Sequence, residues 1–113
     1  MLTIKRIYEP PTANDGYRVL VDRLWPRGVS KEAAALDLWL KDIAPTPALR
    51  TWFGHKPDRY QEFADRYQHE LSSNPTVQEL KAILRDHKIV TLLYAAHDSD
   101  HNQAQVLLDY LEA

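Results

Sequence analysis

The longest unbroken apolar stretch lies late in the chain, where Ile89-Val90-Thr91-Leu92-Leu93-Tyr94-Ala95-Ala96 shows no alternation of polar and apolar positions. A strand of that kind is buried on both faces, as at the centre of a parallel sheet covered by helices. Two further segments read as strands. Thr3 to Tyr8 is ended by Glu9-Pro10-Pro11 and a turn at Asn14-Asp15-Gly16. Arg18 to Leu24 is β-branched in its middle and stopped by Trp25-Pro26-Arg27-Gly28. Leu36 to Asp42 alternates with period two and is assigned to a strand, although Leu36, Trp39 and Leu40 also fit a short helix.

Elsewhere the period lengthens to that of a helix. Ser30 can cap a short turn over Lys31 to Ala35, and Thr46-Pro47 opens a helix running through Phe53. Pro57 opens the longest helix, where Tyr60, Phe63, Ala64, Tyr67 and Leu71 share one face and Glu62 and Arg66 pair on another. Asn74-Pro75 or the box Thr76-x-x-Glu79 starts the next, with Val77, Leu80, Ile83 and Leu84 inward. The last helix buries Ala104, Leu107, Leu108 and Leu111. This order predicts an α/β fold: a three-layer sandwich with a small, mainly parallel sheet of about four strands flanked by helices. At 113 residues the chain is expected to form one domain, residues 1–113.

Composition narrows the chemistry. With no cysteine there is no disulfide, no thiol nucleophile and no thiolate metal site. No apolar run reaches the roughly 20 residues of a membrane span, and Met1 to Arg6 does not read as a signal peptide, so the expected location is cytoplasmic with no membrane partner. Fourteen basic against sixteen acidic residues, a net charge of -2, makes bulk adhesion to nucleic acid an unfavoured mode. The three glycines, Gly16, Gly28 and Gly54, form neither a P-loop nor a dinucleotide fingerprint, and no Gly-x-Ser-x-Gly or Ser-His-Asp order is present.

Ligands of open α/β sheets settle outside the carboxyl ends of the strands. The second strand delivers Asp22, Arg23 and, just beyond, Trp25 and Arg27; the last delivers His97, Asp98, His101 and Asn102, with the final helix behind them. Arg23 and Arg27 beside that helix's N-terminus would make an anion site. Asp22 and Asp98 are the candidate acid/base groups, with His101 and Asn102 positioning the ligand. The competing reading makes Arg23 a structural partner of Asp22, Asp42 or Asp98. His97 and His101 have His-x-x-x-His spacing, which aligns two ligands only on a continuous helix; no metal and no cofactor are expected. Trp25, Trp39 and Trp52 read as packing residues, and Tyr94 as buried with its hydroxyl satisfied.

Three functions follow. The first is an enzyme or binder of a small anionic (phosphate-bearing) molecule. The second is a nucleic-acid accessory protein with Arg18, Arg23, Arg27 and Lys31 as a basic rim, and the third an adaptor without chemistry. Charge balance disfavours the second, and the polar strand ends disfavour the third.

Lys5-Arg6-Ile7-Tyr8 and the string from Asp15 to Gly28, with Val21-Asp22-Arg23-Leu24-Trp25-Pro26-Arg27-Gly28 as its most specific part, resemble the YeaO-like family of uncharacterised bacterial proteins. The resemblance continues through Trp39 to Pro45, Leu49-Arg50-x-Trp52-Phe53, Thr91 to Ala96 and Asn102. That family is a branch of the domain-of-unknown-function 488 group, whose resemblance implies an α/β fold. Larger members of the group end the last strand with a cysteine and a Cys-His-Arg step. Here Tyr94 stands at the first of those positions, so cysteine-dependent activity does not carry over. Position 97 is commonly lysine in the family and position 101 glutamine in some members, leaving Asn102 as the steadier loop residue. The label of transcriptional regulator sometimes attached to the family finds no basic recognition helix here.

Overall fold

Four parallel strands form one sheet in the computed structural model, which describes residues 1–113. β1 (Leu2–Arg6), β2 (Tyr17–Leu20), β3 (Leu38–Trp39) and β4 (Val90–Tyr94) stand in the order β1-β4-β2-β3. The unbroken apolar segment is therefore an interior strand, with Leu92 in register with Ile4 on one side and Val19 on the other. Every residue of β4 is buried.

Pleating divides these strands between two cores. Val90, Leu92 and Tyr94 join Val19 and Val21 on one face, while Leu93 joins Leu20 and Ile7 on the other. The first face carries α2 (Pro47–Phe53), α3 (Tyr60–Ser72), α4 (Thr76–Asp86) and α5 (Gln103–Glu112), which bring Phe53, Tyr67, Leu80 and Leu107 into the larger core. The second face has only α1 (Lys31–Ala34), contributing Ala34, with Trp25, Val29 and Leu36 from loops. The three layers are present but unequal. No helix is long and apolar enough to cross a membrane.

Several predicted boundaries move, each for a local reason. The strand expected over Leu36 to Asp42 shrinks to Leu38–Trp39, because Leu40 and Ile43 are both buried and their three-residue spacing needs a turn of helix. Lys41–Ile43 accordingly forms a 3₁₀ turn. β2 stops at Leu20, although the Val21 amide still donates to the Leu93 carbonyl at 3.0 Å. Pro57–Arg59 is a 3₁₀ turn, and α3 begins only at Tyr60. Of the two starts considered for α4, Asn74-Pro75 is the one observed: Pro75 stands at the N-cap position, Asn74 Oδ1 accepts from the Thr76 amide at 2.9 Å, and Thr76 is already helical. Gly16 is required where β2 begins. Its φ is +63°, and a Cβ there would sit 2.3 Å from the Ile89 carbonyl oxygen.

Two contacts fix α2 beside the end of β2. Thr46 caps α2, accepting from the Leu49 amide, and gives its own amide and hydroxyl to the Glu70 carboxylate on α3. The buried Tyr67 hydroxyl donates to the Ile43 carbonyl at 2.7 Å. A buried hydroxyl with its partner in place is worth about 1 kcal/mol, and Tyr67→Phe would strand that carbonyl.

Candidate functional site

At the carboxyl ends of β2 and β4 the surface opens into a cleft of about 760 Å³. It is walled by the segments that follow the two strands, as the doubly wound topology dictates. Asp22, Arg23, Arg27 and Asp98 share this cleft; His101 and Asn102 do not line it.

Asp22 follows directly on the last ladder bond of β2. Its Oδ2 accepts from the Ala95 amide at 2.9 Å, and its Oδ1 accepts from the Gln103 side-chain amide. Trp39 holds the backbone at this point, its indole N–H donating to the Asp22 carbonyl at 2.7 Å. Burial pushes the Asp22 carboxyl up, and the Ala95 amide, the Gln103 amide and the charge of Arg50 only partly offset it, leaving a pKa of about 6. This carboxyl is tied to the end of β4 and to the first residue of α5. It clasps the cleft floor together.

The arginines divide into two kinds. Arg23 donates to the Ala44 carbonyl at 3.2 Å and the Pro45 carbonyl at 3.4 Å, with Asp42 at 3.9 Å. Asp42 is three-quarters exposed, so that ion pair is weak, and Arg23 chiefly braces a wall. The guanidinium groups of Arg27 and Arg50 are exposed at the cleft and make neither an ion pair nor a hydrogen bond within the chain. Arg27 is placed by its backbone, whose carbonyl accepts from the Tyr8 hydroxyl at 3.0 Å.

The loop before α5 is occupied with its own turn. Asp98 Oδ1 accepts from the Asp100 and His101 amides, and Oδ2 meets His101 Nδ1 at 2.9 Å. The Asp100 amide and the His101 ring, working against a small burial effect, lower the Asp98 pKa. Asn102 is 1% exposed. Its Oδ1 caps α5 by accepting from the Gln105 amide, and its Nδ2 donates to the Asp98 carbonyl. His101 and Asn102, expected to position a ligand, are thus engaged in the turn that caps α5 and lie outside the cleft lining, and Asp98 is held in the same turn. The first residue of α5, Gln103, gives its side-chain amide to Asp22.

Other expectations shift too. Arg18, expected on a basic rim, is buried, with its guanidinium bonded to Asp15 and to the Ala34 and Ala35 carbonyls. His97 turns toward Arg6 (3.5 Å) and His101 toward Asp98, so the two imidazoles share no site. Trp25 and Trp39 pack edge to face, with centroids 5.4 Å apart. Tyr94 is buried, but its hydroxyl makes no hydrogen bond within the chain. Sequence reasoning missed Arg50 and Gln103. Arg50 was legible as the i−3 neighbour of Phe53 on one helix face, while nothing in the pattern distinguished Gln103.

Residues 1–113 match the family described as the inactive DUF488-N3 subclade. The uncharacterized protein YeaO of Escherichia coli K12 is 41% identical over 109 residues, 96% of this chain and 95% of YeaO. The uncharacterized protein Rv3073c of Mycobacterium tuberculosis is 41% identical over 108 residues, 96% of this chain and 91% of that protein. No solved structure matches the chain. The match spans the strand ends that build the cleft as well as the core beneath it, and the chain belongs to the YeaO-like family, in the inactive DUF488-N3 subclade.

Proposed function

We propose that this chain binds a small anionic, phosphate-bearing ligand in the cleft and does not turn it over. The observation that carries the reading is the pair of unpartnered guanidinium groups, Arg27 and Arg50, facing one concavity in a chain of net charge -2. Guanidinium forks match phosphate oxygens two at a time, which favours phosphate over halide, and two of them meet the two charges of a phosphate dianion where a lone carboxylate offers one. Arg23 adds a third positive charge from the wall it braces. Binding without turnover is favoured because Asp22 and Asp98 are both engaged in holding the cleft, because the chain has no cysteine, and because the matching subclade is described as inactive.

A ligand that binds only the folded state raises the melting temperature by mass action. Millimolar phosphate and phosphate monoesters are expected to raise it, and an Arg27→Ala/Arg50→Ala double variant, altered only at exposed groups, is expected to fold normally and lose the shift. A shift that survives in the double variant, or none in the unmodified chain, rejects the proposal.

A further inference from the structure

We infer that the occupant of this cleft is a nucleoside monophosphate, with its phosphate at Arg27 and Arg50 and its base against the apolar wall of Leu24 and Trp25; this deepens the anion-binding reading and rests on it. The first argument is size. At about 760 Å³ the open cleft has room for a drug-sized molecule, and a lone phosphate would leave most of it empty.

The second argument is the wall. Leu24 lines the cleft yet is 57% exposed, one of few large apolar side chains so displayed. Beside it the Trp25 ring is locked, its Nε1 donating to the Val29 carbonyl at 2.7 Å and its plane set edge-on to Trp39. A fixed aromatic next to an exposed aliphatic group is preorganised for a flat apolar partner, since little side-chain freedom remains to be lost on binding. A sugar phosphate would set hydroxyls against that wall, where a base would cover it.

The third argument is charge. Two free guanidiniums match one phosphate dianion. A triphosphate would bring further charge with no glycine-rich loop to supply backbone donors, and the ionised carboxyls of Asp22 and Asp98 border the same space. The net charge of -2 also favours a free nucleotide over a strand of nucleic acid.

Calorimetric titration of the full chain with inorganic phosphate, ribose 5-phosphate, adenosine, the four ribonucleoside monophosphates and a 5′-phosphorylated oligonucleotide tests this. At least one monophosphate is expected to bind about tenfold or more tightly than both ribose 5-phosphate and adenosine, the increment that stacking of a base supplies. Leu24→Ser, at an exposed position, is expected to reduce that advantage while leaving ribose 5-phosphate affinity unchanged. Equal affinity for ribose 5-phosphate and every nucleotide overturns this inference and leaves the anion reading standing. Failure of every phosphate to bind removes both. Tighter binding of the oligonucleotide than of any mononucleotide also overturns it, in favour of a strand end.

Discussion

Asp15 and Asp22 lie at opposite ends of β2, and the same carboxyl group is handled in opposite ways. Asp15, 6% exposed, meets Lys5 at 3.0 Å, bonds Arg18, and accepts from the Thr12 amide and hydroxyl at 3.0 Å each. Burial would raise its pKa, but the Thr12 amide, Lys5, the Thr12 hydroxyl and Arg18 together hold it near 2. Asp22 has no cation in contact, only an amide N–H and a carboxamide, and stands near 6. Where a guanidinium is wanted for stability it is locked to the carboxylate, as Arg18 is. Where guanidiniums are left free, as Arg27 and Arg50 are, the neighbouring carboxyl is instead tied to the backbone. The first arrangement builds a fold, and the second leaves charge available to a ligand.

Breaking the first arrangement has the largest expected effect. Asp15→Ala strands the Arg18 guanidinium among the Ala34 and Ala35 carbonyls with no counter-charge. Removing one partner of a buried pair costs about 3–5 kcal/mol, and urea unfolding at pH 7 measures it. Asp15 also sets an acid limit. Its folded pKa lies below the ordinary 3.8, so its contribution is present above pH 4 and lost as pH falls toward 2. A cost under about 1 kcal/mol would show that Arg18 is satisfied by carbonyls alone and that the contrast with Asp22 is spurious.

Asp22 carries the opposite sign. Its folded pKa is raised, so between pH 4 and 6 the folded chain holds a proton that the unfolded chain has released. Stability therefore falls as pH rises through that window. The two-unit gap corresponds to about 2–3 kcal/mol. Asp22→Asn retains an acceptor for the Ala95 amide and is expected to be more stable than the unmodified chain by up to that amount at pH 7, and equal to it at pH 4. Unfolding curves at the two pH values decide. Equal stability at pH 7 would mean that Arg50 and the two amide donors offset the burial of the carboxylate in full.

The same contrast explains what was legible in the sequence. β4 announces itself because both of its faces are apolar, and Asp22 because it follows a β-branched run. Arg18 does not: a strand arginine between Tyr17 and Val19 looks like a rim charge until the Thr12–Asp15 turn folds beneath it. Arg50 reaches the end of β2 only because Thr46 is clamped by Glu70 and Ile43 by Tyr67, contacts 24 residues apart in the chain. Asn102 was visible as an important loop residue, but a pattern cannot tell a cap from a ligand contact, since both call for a short polar side chain before a helix.

That last ambiguity yields the smallest expected effect. If Asn102 served the ligand, Asn102→Asp would alter affinity, because a new carboxylate would face the bound phosphate. Its present contacts argue for the cap alone: Oδ1 takes the Gln105 amide at 2.9 Å, and the side chain is buried away from the cleft. Asp caps as well as Asn, but the substitution forfeits the Nδ2 bond to the Asp98 carbonyl, about 1 kcal/mol. It also turns a carboxylate oxygen toward that carbonyl and buries a charge, so it is expected to destabilise by more than the lost bond alone. Asn102→Ala forfeits both bonds and is expected to cost about 1–2 kcal/mol. Neither variant is expected to change phosphate-monoester affinity more than about twofold once measured well below its melting temperature, a spread of under 0.5 kcal/mol. A tenfold loss for Asn102→Asp alone would place the carboxamide at the ligand and move the site from the arginine wall to the end of α5.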